Sequence, residues 1–415
     1  MIARKQSFSG GVLSHTSIII NPKKIVFYTI FILTFIVSGL ITITHVIPYR
    51  MGLASAIIIP LVFLYGIKID RVFIAYFALA ILVSLSALSN TSSFIDLVIF
   101  SRILGFSFLI FYLVEIYVDQ KTITNVIRLC IAIAIIQLPI IILQQLFYYE
   151  LPVRLTQGIS YIDFDFGTFN ANDAPLSIFC VLLVIFLLFD KKRNYIIQHK
   201  LSIALWLTIT VLIVNAEILK FVIVLVWMIY LLRYLSIRVT LSFIVLLSLT
   251  IAILSIAGVL DQIWGDFTMS FRSNTRTGQL QEEAFLSGAY SRGAAISYYL
   301  DQDINWFGDG PSKYFNVFSN TRMIGNTGHI FTFYSEVGLL SWLVSVFIFF
   351  LIAFPGRKFH IRLSMVGLLS FLSMMILSFT TQIMNDISIF FIYAIFAKTY
   401  MIPPFGKSDI QYSNK

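Results

Sequence analysis

The chain has 415 residues, of which 59% are hydrophobic and only 12% charged, and its mean hydropathy is +0.91. Those values exclude a soluble globular protein and predict an all-α polytopic membrane protein, with room for about a dozen spans of roughly 20 residues each. The net charge of +9 is a topology signal rather than a sign of nucleic-acid binding, because lysine and arginine collect on the cytoplasmic side of membrane proteins.

In chain order, Arg4, Lys5, Lys23 and Lys24 precede the first apolar run, 25–43. No cleavage-site pattern follows it, so this run is expected to be retained as an anchor. Runs at 51–67, 72–88, 97–118 and 123–147 follow, and an outer loop at 148–174 leads to 175–189. A hairpin of 201–214 and 218–232 turns at Asn215–Lys220, and 239–257 then opens a long polar stretch, 258–329. The last spans are 330–354, 363–382 and 387–402, the final pair turning at Met384-Asn385-Asp386. Three regions result: spans one to nine within 1–257, an extracytoplasmic loop with short helices at 258–329, and spans ten to twelve with a tail at 330–415.

Under this arrangement both termini are cytoplasmic, and 20 of the 29 Lys and Arg residues fall on the inner side. The other nine are Arg50, Arg102, Arg154, Lys220, Arg272, Arg276, Arg292, Lys313 and Arg322. Cytoplasmic loops are short and carry no phosphate-binding glycine loop, so chemistry is expected on the outer face. Cys130 and Cys180 lie inside apolar runs and offer neither a disulfide framework nor a metal site.

Within the long loop, Arg292, Lys313, Arg322 and His329 gather beside a span, with Gly308 and Gly310 between the first arginine and the histidine. A guanidinium or ammonium near the apolar zone, as at Arg102 and Lys220, is costly and marks a partner or a path. A pyrophosphate is such a partner, since arginine forks match phosphate oxygens. The competing reading makes Arg272, Arg276, Arg322 and Lys313 solvated loop charges. His329 opens a span after Asn326-Thr327-Gly328, where Asn or Thr can cap the helix and where exposed N–H groups attract anions. A neutral imidazole there could take a proton from a sugar hydroxyl; the alternative is a histidine that only hydrogen-bonds the loop. Gly308-Asp309-Gly310 has no βαβ context and is expected to form a tight turn that folds the loop over the spans. Glu336, one turn into the tenth span, is expected to be paired, an outer arginine being the obvious mate.

This layout resembles the bacterial O-antigen and capsular polysaccharide polymerases, within the wider O-antigen polymerase and ligase superfamily. The residues that carry the resemblance are Arg292 on a helix, the G-x-G of Gly308 and Gly310, His329 opening a span, and Glu336 with Gly338; Lys220 stands where the family tends to have an arginine. Ile330 replaces the usual asparagine and Ser341 the last glycine. The resemblance implies a GT-C-like, metal-independent glycosyltransferase without cofactor, at the outer face of the bacterial inner membrane. Its substrate would be polyprenyl-pyrophosphate-linked oligosaccharide, with a chain-length regulator and a flippase as accessory partners. His329 and Arg292 would be catalytic; Lys220, Arg102, Arg272, Arg276 and Arg322 would hold pyrophosphate; Gly308, Gly310 and Glu336 would shape the loop. The alternatives are an O-antigen ligase, which hands the glycan to lipid A-core, and a flippase for the same lipid-linked units.

Overall fold

The computed structural model describes residues 22–37, 69–150, 165–169, 173–190, 199–214, 216–234, 304–313, 315–316, 321–322, 328–354, 364–379, 381 and 383–401. The expected spans at 51–67 and 239–257, and Arg272, Arg276 and Arg292, lie outside the described residues. Ten helices are described: α1 (Pro22–Ile32, continuing into a π turn, Leu33–Val37), α2 (Arg71–Ser89), α3 (Phe94–Tyr117), α4 (Gln120–Phe147), α5 (Asp173–Phe189), α6 (Lys200–Ile213), α7 (Glu217–Tyr234), α8 (His329–Ala353), α9 (Met365–Leu377) and α10 (Ile387–Met401). A two-residue antiparallel ladder, β1 (Phe315–Asn316) with β2 (Thr321–Arg322), sets Phe315 opposite Arg322. By length and composition, α2, α3 and α4 are apolar enough to cross a membrane, as is α8 when its 25 residues are counted as one run.

The helix starts follow from local chemistry. Asp70 accepts the Phe73 N–H at 2.8 Å to open α2, and Ser93 with Asp96 forms a capping box on α3, as Asp119 with Thr122 does on α4. Each satisfies N–H groups that a helix start leaves without partners. α2 turns an apolar stripe outward: Ile74, Phe77 and Leu88 are 58%, 60% and 75% exposed. Such a stripe at helical spacing fits lipid contact and marks a helical membrane protein.

α5 is the hub. Residues 174–189 are buried on every side, as expected of a helix apolar all round, and α4, α6, α7, α9 and α10 pack against it. Since lipid tails are as apolar as leucine, close packing rather than water exclusion holds such a bundle. Aromatic rings supply much of that packing: Phe35 lies 5.3 Å from Phe179 and 5.5 Å from Phe391, centroid to centroid.

Polar contacts define the two ends. At one end the Tyr112 hydroxyl of α3 donates to Asp70 at 3.1 Å, Lys398 of α10 pairs with Glu115 of α3, and Phe186 meets Phe396. At the other end Asn90, in the α2–α3 turn, donates to the Gly308 carbonyl at 3.0 Å. The start of α2 and the ends of α3 and α10 thus meet at one end, and the segment 304–313 meets the α2–α3 turn at the other.

Proline in α4 exposes a further dependence. Pro139 has no N–H to give the Ile135 carbonyl, and the Trp206 indole N–H of α6 takes it instead at 3.0 Å. Trp206→Phe keeps an aromatic ring but removes the indole N–H that the Ile135 carbonyl accepts. The expected cost is about 1 kcal/mol, measured by denaturant unfolding in mixed micelles against the parent chain.

Candidate functional site

The tenth span is not a single rod, which corrects the sequence expectation for 330–354. Gly338 interrupts α8 with φ 84° and ψ 173°. In a straight helix, residues 329 and 349 would stand ~30 Å apart. Instead the His329 ring lies 5.6 Å from the Phe349 ring and its Nε2 lies 3.2 Å from Ser345 Oγ. α8 is therefore a hairpin of two arms, 329–337 and 339–353, folded against each other at the Gly338 bend.

Breaking a helix frees carbonyls at the end of one arm and N–H groups at the start of the next. The loop segment 304–310 supplies the missing partners. Asp309 N–H donates to the Ser335 carbonyl at 2.8 Å, Gly310 N–H to the Glu336 carbonyl at 2.9 Å, and Leu339 N–H to the Asn305 carbonyl at 3.0 Å. Ser86 of α2 adds its hydroxyl to the Glu336 carbonyl at 3.1 Å. The segment is a splint across the break.

Glycine is needed on both sides of this contact. A Cβ on Gly308 (φ 71°) would lie 2.5 Å from the Glu336 carbonyl carbon and from Val337 N, and one on Gly338 would fall on the Trp306 carbonyl. Backbone meets backbone with no room between. Asn305 shapes the splint, its Oδ1 accepting Gly308 N–H at 2.8 Å and its Nδ2 donating to Asp309 at 3.0 Å. Beyond Gly310, Lys313 N–H returns to the Gly310 carbonyl at 3.3 Å, closing a turn with Pro311 second and Ser312 third at φ 58°, the sign a type II turn requires there.

Glu336 is fully buried and its carboxylate accepts the Ser312 N–H at 3.1 Å. His329 is 2% exposed, with its ring 4.2 Å from Phe333. Phe333 in turn meets Phe100 of α3 at 5.3 Å. Nine residues from the bend, His329 sits ~13 Å along the first arm, inside the bundle.

The start of that arm also differs from expectation. The cap residue is Gly328, which has no side chain to cap with; Asn326 and Thr327 lie outside the described residues. His329 N–H donates to the Thr381 carbonyl at 3.0 Å and Ile330 N–H to the Ser378 carbonyl at 3.2 Å. The stretch after α9 therefore abuts the start of α8, a favourable head-to-tail alignment of helix dipoles. Protein carbonyls occupy donors that the sequence reading offered to an anion. A Cβ on Gly328 would overlap the Ser378–Phe379 backbone, which explains why this position carries glycine.

The structure brings Gly308, Gly310 and Glu336 into one contact and puts His329 on the same arm as Glu336. Arg102 is exposed. It lies ~200° round α3 from Phe100, so it points away from the face that packs on Phe333. Lys220 is half-buried in the first turn of α7. α7 follows α6, whose first residue, Lys200, donates to the Asp190 carbonyl at the Glu115–Lys398 end, so Lys220 stands at the splint end. Arg322 is placed by its backbone pairing with Phe315. The sequence reading missed Ser86, Asn90, Asn305, Gly328 and Ser345; a glycine inside an apolar run was the one available signal of a break. No family model matches this chain, and no curated protein matches it.

Proposed function

We propose that this chain is an oligosaccharide repeat-unit polymerase of the bacterial inner membrane, a GT-C-like glycosyltransferase of about twelve spans whose site faces outward. The observation that carries the proposal is the splint. Gly308 and Gly310 of the long loop lock onto Glu336 and Gly338 of the arm that begins with His329. Residues that carry the resemblance thus act as one mechanical unit, and that unit ties the outer loop to a buried imidazole.

In this reading the hydroxyl of an acceptor sugar gives its proton to His329 and attacks the anomeric carbon of the donor glycan. The bond from that carbon to the pyrophosphate oxygen breaks, and polyprenyl pyrophosphate leaves with the electron pair. Arg292, Lys220, Arg272, Arg276 and Arg322 hold the pyrophosphate and offset its growing charge. Arg102 is exposed on α3 and faces away from Phe333, so it can reach the pyrophosphate only from outside the face that holds His329. Phe333 and Phe349 seal His329 in the conformation described, so substrate entry displaces the Phe333 ring.

The test uses the purified chain in lipid vesicles with polyprenyl-pyrophosphate-linked repeat units as the only glycan. A ladder of lengthening products is the expected result. Transfer only when a lipid A-core acceptor is added would make the protein a ligase, and movement of the units across the bilayer without bond formation would make it a flippase.

A further inference from the structure

We propose that Ile304, Trp306 and Phe307 are a membrane anchor: their side chains enter the bilayer interface beside the end of α2, and the lipid surface holds the splint on the bend. That anchoring does not depend on the reaction proposed for His329.

The splint has two unlike faces. Toward the break, Gly308 and Gly310 are buried, and the Gly308 backbone lies against that of Glu336 and Val337. Away from the break, Ile304, Trp306 and Phe307 are 61%, 52% and 40% exposed. Three bulky apolar side chains within four residues are costly in water and favoured at a lipid surface. A tryptophan ring, apolar in body with one polar N–H, suits the headgroup level in particular.

Depth follows from the contacts. The 19 residues of α2 rise ~28 Å, about the thickness of a bilayer's hydrocarbon core, with Asp70 at one end and Asn90 at the other. Ser86, in the last turn of α2, donates to the Glu336 carbonyl, and Asn90 donates to the Gly308 carbonyl. The Trp306 carbonyl sits against Gly338, two residues from Glu336. Trp306 is therefore level with the last turn of α2, where the outward stripe of Ile74, Phe77, Ile81, Leu85 and Leu88 ends. The second arm of α8 begins a further outward apolar row at the same level, with Leu343 and Phe347 exposed. The splint is bonded to both, through Asn90 and through Leu339, so its exposed side chains continue two surfaces suited to lipid.

The main chain is prepared for that depth. Irregular backbone is tolerated within a membrane only where protein satisfies its polar groups. The N–H groups of Phe307 and Gly308 go to Asn305 Oδ1 at 3.3 and 2.8 Å, and those of Asp309 and Gly310 go to the Ser335 and Glu336 carbonyls. Four successive N–H groups thus need no water, a condition that a loop held in water does not have to meet.

Two measurements on the full chain in phosphatidylcholine vesicles free of polyprenyl lipid test this. A nitroxide on Ile304→Cys, with one on Leu88→Cys for reference, reports access to oxygen, which collects in lipid, and to a water-soluble nickel chelate. The unsubstituted chain, whose Cys130 and Cys180 are buried, sets the labelling background. The label at 304 is expected to match that at 88, relaxed more by oxygen than by nickel. Relaxation mainly by nickel would put the segment in water, and shielding from both reagents would put it against protein, such as a second copy; either overturns the anchor. Oxygen access gained only on adding polyprenyl-pyrophosphate-linked units would assign this face to the substrate's chain and overturn it too. In the second measurement, Trp306→Ser should speed amide exchange at Asp309, Gly310 and Leu339 by about tenfold or more, the worth of one large side chain in an apolar setting. Unchanged exchange would overturn the claim that lipid holds the splint. If Trp306→Ser does not insert, Phe307→Ser is read in the same way, with the same two outcomes.

Discussion

His329→Gln is expected to abolish chain extension, lowering the rate by about 10²- to 10⁴-fold, the usual contribution of a positioned general base. Gln is the better substitution than Ala because it fills much of the same space. The imidazole packs 4.2 Å from Phe333 and 5.6 Å from Phe349, and truncation to Ala would add a packing defect to a chemical one. The expected signature is lipid-linked single repeat units accumulating in the membrane while the variant inserts and unfolds like the parent. Polymer of normal length from a normally inserted variant would remove His329 from the reaction. The measurement is glycan length on the lipid carrier, followed by gel electrophoresis.

The second large effect concerns the bend. Gly338→Ala should destabilise the protein by at least ~3 kcal/mol, because φ 84° with ψ 173° belongs to a region open essentially to glycine alone and the new methyl would fall on the Trp306 carbonyl. The chain cannot relieve that clash locally. Moving the 304–310 segment away would strip partners from the Ser335 and Glu336 carbonyls and from Leu339 N–H, each of which it now satisfies. An internal control is at hand in Gly105 of α3, where an added Cβ meets nothing within 4 Å. Gly105→Ala should instead stabilise its helix by about 0.5–1 kcal/mol. Unfolding in mixed micelles distinguishes the two: opposite signs are expected, and a Gly338→Ala variant as stable as the parent would show that the bend does not depend on glycine.

These two results are linked, because the hairpin carries His329 to Ser345. A variant that straightens α8 is expected to lose the imidazole's contact with Ser345 together with the splint. Gly338→Ala should therefore lose activity at temperatures where the fold survives, whereas Trp206→Phe, which disturbs α4 and α6, should lose only stability.

Much of the scaffold was legible in the sequence. Apolar runs gave the helices, and the capping pairs Ser93–Asp96 and Asp119–Thr122 are short-range patterns that open α3 and α4 where they fall. The α6–α7 hairpin turns beside Lys220, and α10 begins directly after Asp386, whose carboxylate accepts the Ser388 N–H at 2.9 Å. Gly308 and Gly310 both take positive φ, the backbone freedom that closely spaced glycines report, although the closed turn runs from Gly310 to Lys313. Each of these depends on residues within a few positions of one another, and local dihedral preference with hydrophobic period is what a sequence displays directly.

The broken helix was not legible. Residues 329–353 are apolar almost throughout, and an apolar run of 25 residues reads as one span because a straight helix satisfies every internal backbone group by itself. A break is tolerable in such a setting only if something distant supplies the freed donors and acceptors. Here those partners are Asn305, Asp309 and Gly310, about 30 positions away, and Ser86, 250 positions away. The same holds for the start of α8, whose N–H groups go to Ser378 and Thr381 rather than to an anion. The sequence alone determined a helical membrane protein with a polar loop and a histidine beside it, because composition and short-range pattern suffice for that. Only the tertiary structure decided that the histidine is drawn inside the bundle and set against Ser345, because long-range hydrogen bonds, not helix propensity, stabilise the bend that brings it there.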